Sequence, residues 1–180
     1  VFQLYPHELS GGMMQRVSIA MSLLFHPKLL IMDEATTALD VVTQNQILEE
    51  IVQLEEKMGS TRIMITHDIS VVAGTCKNVA VLYAGSLLEF GPAEEVLVEP
   101  LHPYTRGLID SFPRFDAAGK KPLVSIGGSL PDLSALPAGC VFAPRCGRAC
   151  GQCREQKPAL RGFGGKRSAA CHFAGGDENV

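Results

Sequence analysis

Leu9-Ser10-Gly11-Gly12-Met13-Met14-Gln15-Arg16, followed by Leu29-Leu30-Ile31-Met32-Asp33-Glu34, decides the fold of this 180-residue chain. Two glycines after a serine let the backbone approach a ligand closely, and a helix that begins there aims its first N–H groups outward, where an anion is favoured. Val17, Ala20, Met21 and Leu24 fall at helical spacing, so the helix starts just after the glycines and ends by Pro27, which cannot continue it. Leu29 to Met32 is a short apolar run between Lys28 and Asp33, the pattern of a central parallel strand covered on both faces. Asp33 and Glu34 then stand at the carboxyl end of that strand, where open α/β sheets place their ligands. Taken singly, Ser-Gly-Gly is an ordinary turn with a serine N-cap, and Asp-Glu is a solvated strand end. Together and in this order they point to nucleotide phosphate: one carboxylate can serve Mg2+ through its water shell while the next polarises an attacking water.

The following segments extend that pattern. Ala35-Thr36-Thr37-Ala38-Leu39-Asp40 is a polar turn before a second helix, whose apolar stripe is Ile47, Leu48, Ile51 and Leu54. Glu49, Glu50, Glu55 and Glu56 fill the rest of that helix and read as a solvated face. Arg62 to Thr66 is a second strand ending in His67-Asp68, and a histidine there can donate to a phosphate oxygen or accept from water. Asn78 to Tyr83, Ala84-Gly85-Ser86 and Leu87 to Phe90 read as strand, turn and strand, closed by Gly91-Pro92 and followed by a short helix from Ala93 to Glu99.

LSGGMMQR, LLIMDEATTALD and ITHD, in that order, resemble the signature motif, the Walker B strand with its D-loop, and the switch-histidine loop of ABC-transporter ATPases. The resemblance implies an α/β fold, the C-terminal part of a P-loop (RecA-like) ATPase domain over residues 1–100, with a loop-rich, cysteine-containing extension over 101–180. It also implies roles. Ser10, Gly11 and Gly12 would contact the γ-phosphate of ATP held by a partner subunit, and Asp40 would close the D-loop across that dimer. Asp33 would serve Mg2+, Glu34 would be the general base, and His67 would sense the γ-phosphate. Ala35 departs from the family, which usually has proline there, and should loosen the turn; Met14 stands where a basic residue is common.

No GxxxxGK[ST] phosphate loop occurs in the 180 residues, and the chain starts without methionine inside a motif-rich region. It therefore reads as the C-terminal part of a longer ATPase, a part that should not bind or hydrolyse ATP in its own right. A composition of 46% hydrophobic and 19% charged residues fits a globular chain, and no apolar run is long enough to span a membrane. Residues 1–115 hold 7 Lys/Arg against 14 Asp/Glu, whereas residues 116–180 hold 9 against 5, so the two halves differ in kind.

Leu101-His102-Pro103-Tyr104-Thr105 by itself is a turn before a helix; after the preceding motifs it resembles the HPYT stretch of the oligopeptide, dipeptide and nickel import branch. Residues 116–139 carry Gly and Pro at linker density and should be extended. Five of the six cysteines follow between Cys140 and Cys171, while Cys76 reads as helical packing. Such a density of thiols suits zinc, a [4Fe–4S] cluster or disulfides, and spacing alone leans to zinc. GCVFAPRC, CREQKPAL and ACHF resemble the C-terminal cysteine motif of peptide-importer ATPases. That resemblance selects Cys140, Cys146, Cys153 and Cys171 as ligands of a [4Fe–4S] cluster, with Zn2+ as the alternative and Cys150 as an extra thiol. Arg145, Arg148, Arg154 and Arg161 would offset its negative charge.

The resemblance implies an ATP-hydrolysing subunit that energises uptake of peptides or nickel through a membrane permease. Its partners would be a second ABC ATPase subunit, the permease and, indirectly, an extracytoplasmic solute-binding protein, with no nucleic acid. The expected place is the cytoplasmic face of a prokaryotic inner membrane. The competing readings are an ABC ATPase outside transport and a metal-binding interaction module without catalysis.

Overall fold

The computed structural model describes residues 3–36, 39–112 and 125–176. The chain divides into two compact units, residues 1–75 and 76–180. Residues 76–100, grouped with the first half on sequence, share a sheet with the C-terminal strands.

The first unit is a βαβ arrangement with an additional leading helix. Strands β1 (Leu29–Asp33) and β2 (Thr61–Ile65) pair in parallel, with Leu29 opposite Thr61 and Asp33 opposite Ile65. Helix α1 (Gly11–Leu23) precedes β1, and α2 (Val41–Met58) connects the strands, as a parallel pair requires. Helix α2 begins at Asp40, whose carboxylate accepts from the Thr43 amide, and ends at Gly59, whose φ of 64° is the left-handed conformation of a helix stop. Helix α3 (Ile69–Thr75) closes the unit.

Leu30 and Met32 of β1 pack with Leu23 of α1 and with Ile47 and Ile51 of α2. The expectation of a strand buried on both faces does not hold: Leu29 and Ile31, with Ile63 and Ile65 beside them, are 48–61% exposed. The core of the unit lies on the Leu30 and Met32 face, so the alternation that defines a strand leaves the other face bare. The expected stripe of α1, Val17, Ala20, Met21 and Leu24, is exposed, and Leu23 is the residue of that helix in the core. Glu55 also departs from the solvated-face reading, since it pairs with Arg62 of β2 at 3.3 Å.

The second unit has four antiparallel strands in the order β3-β4-β6-β5. Strand β3 (Asn78–Tyr83) turns at Ala84-Gly85 into β4 (Ser86–Pro92), with a register irregularity at Val81/Leu82. Helices α4 (Ala93–Val98), α5 (Pro103–Asp110) and α6 (Gly151–Glu155) follow. The short strands β5 (Arg161–Gly162) and β6 (Ser168–Ala169) complete the sheet, β6 pairing with β4 through Glu89 opposite Ala169. Residues 125–139 carry neither helix nor strand, in line with linker composition, while 116–124 and the Thr37-Ala38 part of the polar turn lie outside the described residues. Cys76 is not helical as expected: it lies just past α3 and is half-buried.

Among the described residues no helix is long and apolar enough to cross a membrane.

Candidate functional site

The glycine-led helix forms as the sequence requires. Ser10 is extended, with φ −67° and ψ 159°, and its hydroxyl accepts from the Met13 amide at 3.3 Å, which caps α1. The N–H groups of Gly11 and Gly12 precede the first intrahelical bonds and so point out of the helix end. A side chain added at Gly12 would meet Thr43 at 3.4 Å and Leu39 at 3.6 Å. The start of α1 thus lies beside the start of α2, which brings Ser10, Gly11 and Gly12 near Asp40.

At the end of β1 the chain makes a sharp change of direction. Glu34 has φ 48°, a left-handed conformation that costs a non-glycine residue free energy, and its amide donates to the Ile65 carbonyl of β2 at 2.9 Å. The turn aims the Glu34 carboxylate at His67, two residues beyond β2, whose Nδ1 lies 2.9 and 3.0 Å from the two carboxylate oxygens. A carboxylate can only accept, so Nδ1 carries the proton and donates. Hydrogen bonding to Glu34, the Glu34 charge and then the Asp68 charge raise the His67 pKa above 6.5. Asp33 is exposed at the same strand end, where an oxygen donor can meet a hydrated Mg2+.

Asp68 is held by its neighbours: Ser70 donates to it through its amide at 2.9 Å and its hydroxyl at 2.5 Å, and Gln44 of α2 donates at 3.4 Å. Ala35 does not leave the turn loose. Its methyl packs against the core of the unit and its carbonyl accepts from Gln15 of α1. Gln15 and the Glu34–His67 contact were not singled out on sequence; the Gln15 of LSGGMMQR was the only available signal for the former.

The second unit gathers its cysteines. Cys140, Cys146, Cys153 and Cys171 line one small cavity of about 10 Å³ together with His102 and Phe142. They arrive there from separate segments. The Cys140 amide donates to the Cys153 carbonyl at 2.8 Å, and this approach leaves no room for a side chain at Gly139, where a Cβ would fall 2.4 Å from the Cys153 carbonyl oxygen. Burial pushes the thiols of Cys146, Cys153 and Cys171 up. Cys150 stands at the N-cap position of α6 outside the cavity, with its sulfur 3.7 Å from that of Cys153, and the Cys153 amide holds its pKa down. No two of the six cysteines are joined by a disulfide.

The four expected ligands thus line one place, but among the described residues no three His, Cys, Asp or Glu side chains are arranged to hold a metal ion. The cavity has room for about one water-sized body. The donor chemistry suits a thiolate-bound metal; the sulfur arrangement is not yet that of a ligand set. Two of the expected counter-charges have other work. Arg145 donates to the carbonyls of Ile126 and Gly127, each at 2.8 Å, and Arg161 donates to that of Cys171 at 3.0 Å.

His102 is the residue that the sequence undervalued. It is 2% exposed, walls the cysteine cavity, and caps α5 by accepting from the Tyr104 amide through Nδ1 at 3.0 Å. Burial lowers its pKa to about 4. Pro103 at the first helical position was the signal for the cap. Glu89 carried no signal at all, although it is fully buried and accepts from the Leu101 and His102 amides at 2.8 and 3.0 Å.

A parallel βαβ unit that presents a base-like carboxylate against a strand-end histidine, beside a glycine-started helix, belongs to the nucleotide-handling α/β class. Comparison with known proteins narrows the class. Residues 1–37 match the sequence model described as ABC transporter, and residues 88–153 match that described as oligopeptide/dipeptide transporter, C-terminal region. The oligopeptide transport ATP-binding protein OppD of Salmonella typhimurium is 49% identical over 169 residues, 94% of this chain and 50% of that protein. OppD of Haemophilus influenzae is 53% identical over 151 residues, 84% and 46%, and the dipeptide transport ATP-binding protein DppD of the same organism is 47% identical over 168 residues, 93% and 50%. The chain belongs to the oligopeptide/dipeptide branch of the ABC ATP-binding proteins. It spans about half the length of the curated relatives it matches.

Proposed function

We propose that the chain is part of an ATP-hydrolysing subunit that energises peptide uptake through a membrane importer. The observation that carries this reading is the Glu34–His67 contact at the open ends of β1 and β2, with the capped start of α1 next to Asp40. Bound MgATP supplies the phosphoanhydride to be cleaved. Glu34 accepts a proton at a carboxylate oxygen from the attacking water, and its left-handed turn fixes where that oxygen stands. His67 holds the carboxylate through its Nδ1–H; the neutral ring then accepts from water at Nε2, and only the protonated ring donates there to a phosphate oxygen. Asp33 supplies an oxygen toward Mg2+. Ser10, Gly11 and Gly12 present hydroxyl and amide hydrogens to a phosphate bound by a partner subunit, with Asp40 anchoring the adjoining turn. Functionally, residues 1–100 are assigned to the ATPase and 101–180 to the extension, a division that cuts across the compact units.

The names of the relatives favour dipeptide or oligopeptide cargo over nickel. A second ATPase subunit and the permease are the partners this reading requires, with a solute-binding protein acting through the permease and the subunit peripheral to the membrane on its cytoplasmic face. The test is ATP turnover by the full-length protein with Glu34→Gln. Loss of the base lowers the rate by about 100-fold or more; an unchanged rate removes Glu34 from the chemistry.

The shared cavity of Cys140, Cys146, Cys153 and Cys171 supports a second reading, a thiolate-held [4Fe–4S] cluster or, in its place, zinc. Elemental analysis of anaerobically purified full-length protein decides: iron with sulfide supports the cluster, zinc alone the ion, and neither metal ends both.

A further inference from the structure

Cys150 is the thiol that the metal reading leaves over, and its position gives it a partner. Its sulfur lies 3.7 Å from that of Cys153, three residues on in the first turn of α6. A disulfide bond is about 2 Å long, and Cys150, the extended residue that leads into α6, holds its sulfur against that of Cys153 in the first turn, so the two have a short way to close. The two thiols differ in access. Cys150 is half-buried and stands outside the cavity, whereas Cys153 is buried in its wall. That is the asymmetry of a dithiol with an attacking and a resolving member.

We propose that Cys150 and Cys153 form a reversible disulfide by exchange with low-molecular-weight disulfides, a redox couple that withdraws Cys153 from the cysteine cavity. In the first step the Cys150 sulfur, having released its proton to water, attacks one sulfur of the small disulfide. A mixed S–S bond forms as the original S–S bond breaks, and the leaving thiolate takes up a proton. In the second step the Cys153 sulfur, likewise deprotonated, attacks Cys150, forming the internal S–S bond and expelling the second small thiolate, which is also protonated. Two protein thiols have lost two electrons and two protons, and one small disulfide has gained them to become two thiols. A reduced small dithiol reverses the sequence.

The couple requires no metal. Where one is bound by Cys153, oxidation and ligation compete for the same sulfur, and Cys150 becomes the residue through which the cavity senses redox state.

The experiment uses full-length protein dialysed against EDTA under nitrogen, then exposed to oxidised glutathione. Remaining thiols are alkylated with iodoacetamide and mapped by mass spectrometry. The expected first product is a peptide with Cys150 joined to Cys153, reversed by dithiothreitol, while Cys76, Cys140, Cys146 and Cys171 are still alkylated. In Cys153→Ser the glutathione adduct persists on Cys150. In Cys150→Ser the loss of the Cys153 thiol slows by about tenfold or more. Each variant exchanges sulfur for oxygen, and its far-UV circular dichroism is compared with the parent to check that the fold is retained. Linkage of Cys153 to another cysteine as the first product, or alkylation of both Cys150 and Cys153 after the other cysteines have reacted, overturns the proposal.

Discussion

The first unit keeps Glu34, His67 and Asp33 at its surface and leaves Leu29, Ile31, Ile63 and Ile65 half bare, whereas the second encloses Glu89, His102 and three of its cysteines. Each half-exposed aliphatic side chain in the first unit forgoes on the order of 1 kcal/mol of burial. The second spends its interior on polar groups that cost free energy unless they are fully bonded. Polar groups of the first unit are placed to meet something outside it, and those of the second hold its own segments together. The contrast predicts that substitutions in the first unit act mainly on chemistry, and those in the second mainly on folding.

Glu89→Ala should have the largest effect. It removes the acceptor for the Leu101 and His102 amides and the charge facing Arg167 at 3.5 Å. Breaking such a buried set costs about 3–5 kcal/mol. Two of the three tyrosines, Tyr83 and Tyr104, pack together in the second unit with tilted rings 4.7 Å apart between centres, so tyrosine fluorescence in urea follows it. A fall in the urea midpoint with the nuclear magnetic resonance signal of His67 intact confirms separate duties; joint loss of both breaks the comparison.

His102 gives the next effect. Burial lowers its pKa from 6.5 to about 4, so the folded protein resists protonating it while the unfolded chain does not. The resulting stability is whole above pH 6.5 and is lost as the pH falls toward 4, a change of up to about 3 kcal/mol. The glutamine variant His102→Gln keeps an acceptor for the Tyr104 amide and cannot titrate, so the acid limb of its melting profile should flatten relative to the parent. An identical acid limb in both places the sensitivity elsewhere.

The first unit was the more legible on sequence for the same reason that it is open. Its helix start, strand end and histidine are set by local rules: Ser10 caps, Gly59 stops a helix, and Leu29 to Met32 alternates by strand geometry. Local rules did not tell how many layers cover β1, because a continuous apolar run reads as buried on both faces whether or not a second layer is present. In the second unit the informative contacts cross long stretches of chain. Glu89 meets Leu101, His102 and Arg167, and Cys140 meets Cys153 through the backbone. Nothing in the residues around Glu89 announces those partners, and HPYT served as a family marker before its histidine proved to be both a helix cap and a wall of the cysteine cavity.

Asp40→Ala tests whether the first unit has a structural part of its own. Asp40 accepts from the Thr43 amide at 2.9 Å and from its hydroxyl at 2.7 Å, and these bonds hold its pKa low. Loss of the cap should lower stability measurably, and Asp40→Asn should restore most of it. Should Asp40→Asn leave stability near wild type yet slow ATP turnover in the full-length protein, the charge of Asp40 acts beyond the cap.

The smallest effect bears most directly on chemistry. His67 is fully exposed, so its contact with Glu34 is weakened by solvent and salt and adds little to folding. What stability it does add is present below the unfolded pKa and disappears as the pH rises through the higher folded one. The pH titration of the His67 ring protons should give a pKa above 6.5 that falls back in Glu34→Gln and, by a smaller step, in Asp68→Asn, following the order of the two causes. A value that does not respond to Glu34→Gln means that the pair is not formed in solution. If it responds, imidazolium faces the carboxylate at low pH and weakens it as a base, while the neutral ring at higher pH leaves the same geometry with the base restored. Turnover by the full-length protein should then rise across the His67 titration, and that rise should vanish in His67→Asn.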